Sequence, residues 1–399
     1  MRNTFALPLY FISALLLVLL AKYGSGPAGI PPQSGHDRPL TVIGIATQSP
    51  LSGGSAIPGE AIKLGAEMSL DDHRAEFEKL GFRLKLIPYD DQAEASKGVA
   101  NAALIGADPS ILGVVGHLDS DVSVPSSVIY EKYNLVMVSP ASTSTEVTDR
   151  QLKTVNRIVA RDDVQGPSAA DYAVKTAGAS RLFVIHDNTS YGQGLAESFV
   201  EAAKRMGARI AGYEAIARGD KDFNGVLNQV LRAQPELIFF SGRYSEAGIL
   251  LKQAREKGVT ARFMGGDGLD SSGIVRFAGS DIRNALYSSP VADITRTDSG
   301  KRWADAYRRK FGKPADGFSA YAYDSMSVLL NGLKTAILAN GGKLPSREQV
   351  REAVRGTHNF QGVSTKVSFN GKGDNKFARM FIYRFEDASY PGRLVSEIG

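Results

Sequence analysis

The sequence predicts an α/β protein made of two successive series of parallel strands with covering helices. From residue 40 the chain repeats strand, loop and helix, and after residue 161 a second series of similar rhythm begins. Within the first series, the apolar runs 111–115 and 135–138 each stop at a loop of small residues and hydroxyls. Short apolar runs of this kind are strands buried on both faces. Their alternation with helices places them in parallel sheets covered on both sides.

In order, residues 40–47 form a strand that ends at Gln48-Ser-Pro-Leu-Ser-Gly-Gly-Ser55, and 60–80 carry apolar residues at helical spacing. Residues 82–89 alternate Phe82, Leu84 and Leu86 and end at Asp90-Asp91, and 93–107 form a helix. After the strands at 111–115 and 135–138, with a helix at 124–133 between them, 154–159 completes the first sheet. The second series reads helix 164–176, strand 181–185, helix 195–206, strand 210–216, helix 223–233, strand 237–240, helix 247–257 and strand 262–265. The rhythm is duplicated without an obvious residue-level repeat. A strand at 285–289 and helices at 303–311, 320–339 and 349–354 follow. Alternating runs 365–369 and 377–385 flank Asn370-Gly-Lys-Gly-Asp374, a hairpin signature. The expected organisation is a leader or anchor with linker at 1–38, a first lobe of 39–160 with 290–365, and a second of 161–289 with 366–399. Several crossings between lobes make a hinge.

A chain of 399 residues exceeds the usual growth of one core, so two domains are expected. The net charge of +5 falls to about +3 without Arg2 and Lys22, and no basic run with interleaved aromatics occurs, so nucleic acid is excluded as a partner. The absence of cysteine excludes disulfides, thiolate metal sites, cysteine nucleophiles and a lipid-modified cysteine. Arg2 precedes a mostly apolar run at 5–21, followed by a Gly, Pro and Ser-rich stretch to residue 38. This reads as a secretory leader, with an uncleaved anchor as the alternative, because about seventeen residues lies near the lower limit for a membrane span.

The stretch Ile111-Leu-Gly-Val-Val-Gly-His-Leu-Asp-Ser120 is the centre of the functional reading. A buried strand stopping at a helix start presents N–H groups that lack intrahelical partners, and the helix dipole adds partial positive charge, so an anion can settle there. The Ser120 hydroxyl adds a donor, and the neighbouring loop Ser139-Pro-Ala-Ser-Thr143 adds more. Two adjacent donor-rich loops at the carboxyl edge of a sheet make a ligand crevice.

Together with Gln165-Gly-Pro167, His186-Asp-Asn-Thr-Ser-Tyr-Gly-Gln-Gly-Leu-Ala196, Gly219-Asp-Lys-Asp-Phe223 and Phe263-Met-Gly-Gly-Asp267, these motifs resemble the periplasmic leucine/isoleucine/valine-binding proteins of ABC transporters. The likeness runs in order from about residue 40 to 385. It implies the type I periplasmic-binding fold: two Rossmann-like lobes, joined by a three-crossover hinge, closing on an amino acid. By motif, Ser120, Ser142 and Thr143 belong to the ligand site, with Ser120 and Thr143 on the ligand carboxylate. The Ala141 carbonyl and Asp267 would take the ammonium, and Tyr191 would clamp from the second lobe. The implied partners are an amino-acid ligand and an inner-membrane ABC permease, in a monomeric periplasmic protein without cofactor. The alternative is a membrane-anchored sensing module.

Pro58 stands where the family often has an aromatic residue, and Arg243 where a tyrosine is common. Arg243 can contact a polar or acidic ligand, stand on the rim, or pair with Asp267. Asp119 and Asp121 read as solvent-facing helix-start residues. His117 and His186 read as core hydrogen-bonding residues, and Tyr321, Tyr323 and Trp303 as packing residues. Enzyme motifs are missing: no G-x-S-x-G elbow, phosphate-binding G-x-x-x-x-G-K-[ST] loop or H-E-x-x-H occurs.

Overall fold

A computed structural model describes residues 39–398; the apolar N-terminal run expected as leader or anchor lies outside them. The first series runs β1 (Thr41–Ser49), α1 (Ala56–Lys79), β2 (Phe82–Asp90), α2 (Ala95–Ala107), β3 (Ile111–Gly116), α3 (Ser120–Lys132), β4 (Val136–Ser139), a one-turn α4 (Glu146–Asp149) and β5 (Val155–Arg157). Its five strands are all parallel, in the order β2-β1-β3-β4-β5.

The second series runs α5 (Asp162–Asp171), β6 (Arg181–His186), α6 (Ser190–Arg205), β7 (Arg209–Ala215), α7 (Asn224–Ala233), β8 (Leu237–Ser241), α8 (Tyr244–Glu256), β9 (Arg262–Gly265), α9 (Ile274–Ala278) and β10 (Leu286–Ser289). Strands β7-β6-β8-β9-β10 are parallel, and Met380–Arg384 and Arg393–Ile398 extend the sheet antiparallel beyond β10. Both sheets reverse direction of winding at one place, between β1 and β3 and between β6 and β8. Ligands of open α/β sheets sit outside the strand carboxyl ends at such points.

After β10 the chain returns to the first sheet as α10 (Asp298–Phe311), α11 (Ser319–Ala339) and α12 (Arg347–Arg355). Helix α11 lies on α1 so closely that a Cβ at Gly65 would stand 2.0 Å from the Ser319 carbonyl oxygen. Leu329 and Leu333 join Ile43, Ile62, Val115, Val367 and Phe369 in the core of this half. The second half buries Phe183, Leu250, Phe263 and Phe385 on one side of its sheet and Phe199, Phe239 and Ile382 on the other. The chain passes between the two sheets three times: after β5, after β10 and before Met380.

The expected hairpin of 365–369 with 377–385 does not form. The local turn is present, with the Asn370 N–H on the Asp374 carbonyl at 2.9 Å, but Lys366–Val367 pairs with Phe360–Gln361 and Met380–Arg384 with β10. The turn is anchored because Arg157, fully buried, needs a carboxylate and finds Asp374 at 2.7 Å. The open edge of β10 then captures the apolar run, burying Met380 and Ile382. The boundary expected at residue 365 therefore falls inside a stretch whose Val367 and Phe369 lie in the first core. The edge strand Arg393–Ile398 was not anticipated.

Candidate functional site

A cavity lies at the facing strand ends of the two sheets. From the first half it is lined by Pro58, Leu118, Ser120, Ala141, Thr143 and Phe318, and from the second by Tyr191, Arg243, Tyr244, Asp267, Gly268, Asp270 and Ser271. Six of the seven residues singled out in the sequence thus meet in one space. Ser142 does not: its hydroxyl donates to the His117 carbonyl at 3.1 Å and meets Ser123 at 2.7 Å, inside the loop rather than in the cavity.

The donor side begins at β3. Asp119 is the N-cap of α3 and Ser120 its first helical residue, four positions earlier than the periodicity placed the helix. The Ser120 hydroxyl accepts the Ser144 N–H at 3.2 Å, which leaves its proton for the cavity. The Thr143 hydroxyl is buried beside the Asp162 carboxyl, whose pKa it lowers, without a close hydrogen-bond partner. No donor among the described residues bonds the Ala141 carbonyl. Hydroxyl donors and an open carbonyl therefore face the cavity from adjacent loops.

The acceptor side is Asp267, just past β9. Its Oδ1 accepts from the Tyr191 hydroxyl at 2.8 Å and from Gln165 Nε2 at 3.0 Å. Burial raises its carboxyl pKa, against the lowering effect of those two hydrogen bonds. The Tyr191 hydroxyl also accepts the Gly268 N–H at 2.9 Å, so its only proton is committed to Asp267. Tyr191 contributes its ring to the cavity and its hydroxyl to orienting the carboxylate. Asp162, at the start of α5, is fully buried with both carboxyl oxygens unpartnered, and burial, then the nearby Asp267, drives its pKa well up.

The structure corrects the readings of Arg243, Asp119 and Asp121. Arg243, the N-cap of α8, turns its guanidinium to Asp119 and stands 3.5 Å from Asp121, across the gap between halves, rather than to Asp267 or open solvent. Burial disfavours its charge, yet the two carboxylates more than offset this and raise its pKa. Asp119 is buried, not solvent-facing. Arg218, following β7, joins the group at 3.5 Å from Asp121 and also bonds the Ala93 carbonyl. Arg243 additionally lies over the Tyr191 ring, 5.7 Å from its centroid.

His117 is buried between Ser123 and Tyr130, as expected of a core histidine, and burial lowers its pKa to about 3. Tyr321 bonds the Ala292 N–H and Tyr323 bonds Asp72, outside the cavity. Sequence reasoning missed Leu118, Phe318, Tyr244, Gln165 and Asp270. Gln165 sits in a quoted motif without an assigned role; Phe318 has no signal in the sequence, because a later crossing brings it in. Among the described residues there is no cluster fit to hold a metal, and no helix long and apolar enough to cross a membrane.

The family description "Periplasmic binding protein" matches residues 42–389. An amino acid binding protein of Pseudomonas aeruginosa is 32% identical over 89% of this chain and 92% of its own length. From the same organism, a leucine-, isoleucine-, valine-, threonine-, and alanine-binding protein is 30% identical over 86% and 90%. The crystal structure of a leucine binding protein from Thermotoga maritima superposes with a TM-score of 0.81 at 26% identity, covering 90% of this chain and 99% of that one. Paired parallel sheets, three crossings between them, a cavity at their facing strand ends and a match along nearly the whole described length lead to one assignment: the chain belongs to the periplasmic binding protein family.

Proposed function

We propose that this protein is the solute-binding component of an ABC importer and captures a branched-chain or similarly compact apolar amino acid. The observation that carries the reading is the convergence of Ser120 and Thr143 with Asp267 on opposite walls of one cavity. A zwitterion needs donors at one end and acceptors at the other. Ser120 and Thr143 bind the carboxylate; the Ala141 carbonyl and Asp267 take the ammonium, each charge-assisted bond contributing roughly 1.5–3 kcal/mol. Leu118, Phe318, Pro58 and Tyr244 supply an apolar wall for the side chain. Arg243 is held by Asp119, which removes the main reason to expect an acidic ligand. Relatives named for leucine, isoleucine and valine support the same choice.

The lobes, 39–160 with 290–375 and 161–289 with 376–398, close on the ligand about the three crossings and release it to an inner-membrane permease. The apolar N-terminal run directs the chain to the periplasm. The task is reversible capture, with no bond made or broken. A thermal-shift screen of the chain, unfolded and refolded to strip carried-over ligand, tests the reading against all common amino acids. A ligand at about 100 times its Kd adds roughly 2.7 kcal/mol, or several degrees. A shift with leucine, isoleucine or valine is expected; silence across the panel removes amino-acid capture.

A further inference from the structure

Beside the second crossing, at residues 291–295, a second and larger cavity opens between α10 and the second half. Its walls are aromatic and come from both halves: Trp303 of α10 from one, Tyr287, Tyr383 and Tyr390 from the other. Tyr287 and Tyr383 stack with ring centroids 5.1 Å apart. Its charge is one-sided. Asp270, Asp293, Asp305 and Asp316 line it with one cation, Arg308, and the Lys313 charge reaches Asp316 from outside the lining. Trp303 is 6% exposed, yet its indole N–H has no partner.

We propose that this cavity is a second binding site, distinct from the cleft, for an organic amine with an aromatic or aliphatic body. Aromatic faces attract cations through the ring quadrupole, and uncompensated carboxylates add the countercharge. Asp270 accepts from Ser289 Oγ at 2.6 Å and from the Tyr390 hydroxyl at 2.8 Å; Asp316 Oδ2 accepts the Ser272 N–H at 3.0 Å and its Oδ1 the Gly317 N–H at 3.1 Å. Both carboxylates are thereby fixed in place without being neutralised. Burial nevertheless raises Asp270 to about 7 and Asp316 above its usual range, a penalty that a bound ammonium relieves. Asp270 also lines the amino-acid cleft, so the two spaces share one side chain.

Calorimetry on the full chain with phenethylamine, phenylacetate and phenethyl alcohol tests the site. Phenethylamine is expected to bind at least about tenfold tighter than the other two. Asp316→Asn, and Ala304→Trp which narrows the space, should each weaken it by about tenfold or more, while Asp267→Ala in the cleft leaves it unchanged. Equal binding of all three probes, no heat at millimolar amine, loss in Asp267→Ala, or indifference to both variants of this cavity would overturn the proposal.

Discussion

The guanidinium of Arg243 and the carboxylate of Asp119 form a buried ion pair that joins the second half of the molecule to the first across the mouth of the cleft. In the closure proposed above, opening the cleft separates the pair, which then favours the closed form. Arg243→Ala leaves the buried Asp119 with only the more distant Arg218, at 3.7 Å, and ligand affinity should fall by up to roughly 2–5 kcal/mol, mainly through faster release. The double variant with Asp119→Asn should recover part of the loss. Stopped-flow dissociation of bound leucine checks both, and an unchanged release rate in Arg243→Ala would remove the pair from closure.

Asp267→Ala should weaken amino-acid binding by roughly 2–5 kcal/mol, since the ammonium is left without its carboxylate. Thr143→Val should cost about 1–3 kcal/mol by withdrawing one donor from the ligand carboxylate. Calorimetry with leucine measures both; wild-type affinity in either variant takes that residue out of the site.

Asp91, buried at the end of β2, has its carboxyl pKa raised to about 8 by burial and then by the neighbouring Asp119. The unfolded chain loses this proton near 3.8, so between about pH 4 and 8 the folded state holds more protons than the unfolded one. The stabilisation from Asp91 is therefore complete below pH 4 and declines as pH rises to 8. Asp91→Asn should remove that decline. Urea unfolding at pH 5 and pH 8 gives the comparison: the variant should gain on the wild type at the higher pH, and an equal pH slope in both would refute the assignment.

Gly65→Val should destabilise the first half strongly, because the added carbons meet the Ser319 backbone rather than a side chain that can turn away. Leu329→Ala, where the same helix packs on β3 at Gly113, should cost roughly 2–5 kcal/mol. Thermal unfolding of the two variants reads the effect, and a melting temperature within a degree of wild type for Gly65→Val would contradict the close helix crossing.

Alternation of strand and helix was legible because the periodicity of buried residues is local information. Where local and non-local terms compete, the sequence was a poorer guide. Residues 120–123 carry little apolar signal, so the periodicity starts α3 at 124, and the Asp119 carboxylate, at the N-cap position, pairs with Arg243 rather than capping the helix. The turn at Asn370 was read correctly as a turn; which strand follows it was decided by the open edge of β10 and by the buried Arg157, both distant in sequence. Ser120 and the loop Ser139–Thr143 stand out because strand-end loops of small polar residues have a recognisable chemistry; Asp267 is singled out only by the motif resemblance, and all three line one cavity. The partner of Arg243 does not stand out, because Asp119 lies in another series and nothing near Arg243 announces it.

The threefold passage between sheets also constrains the order in which the molecule can mature. The face of β3 at Gly113 is covered by Leu329, and Phe369 completes the same core, so the first sheet to emerge waits for residues made near the end of synthesis. A nascent chain stopped at residue 289 has all strands of that sheet and none of α10, α11 or α12. Both cores are completed only by residues of the last quarter of the chain.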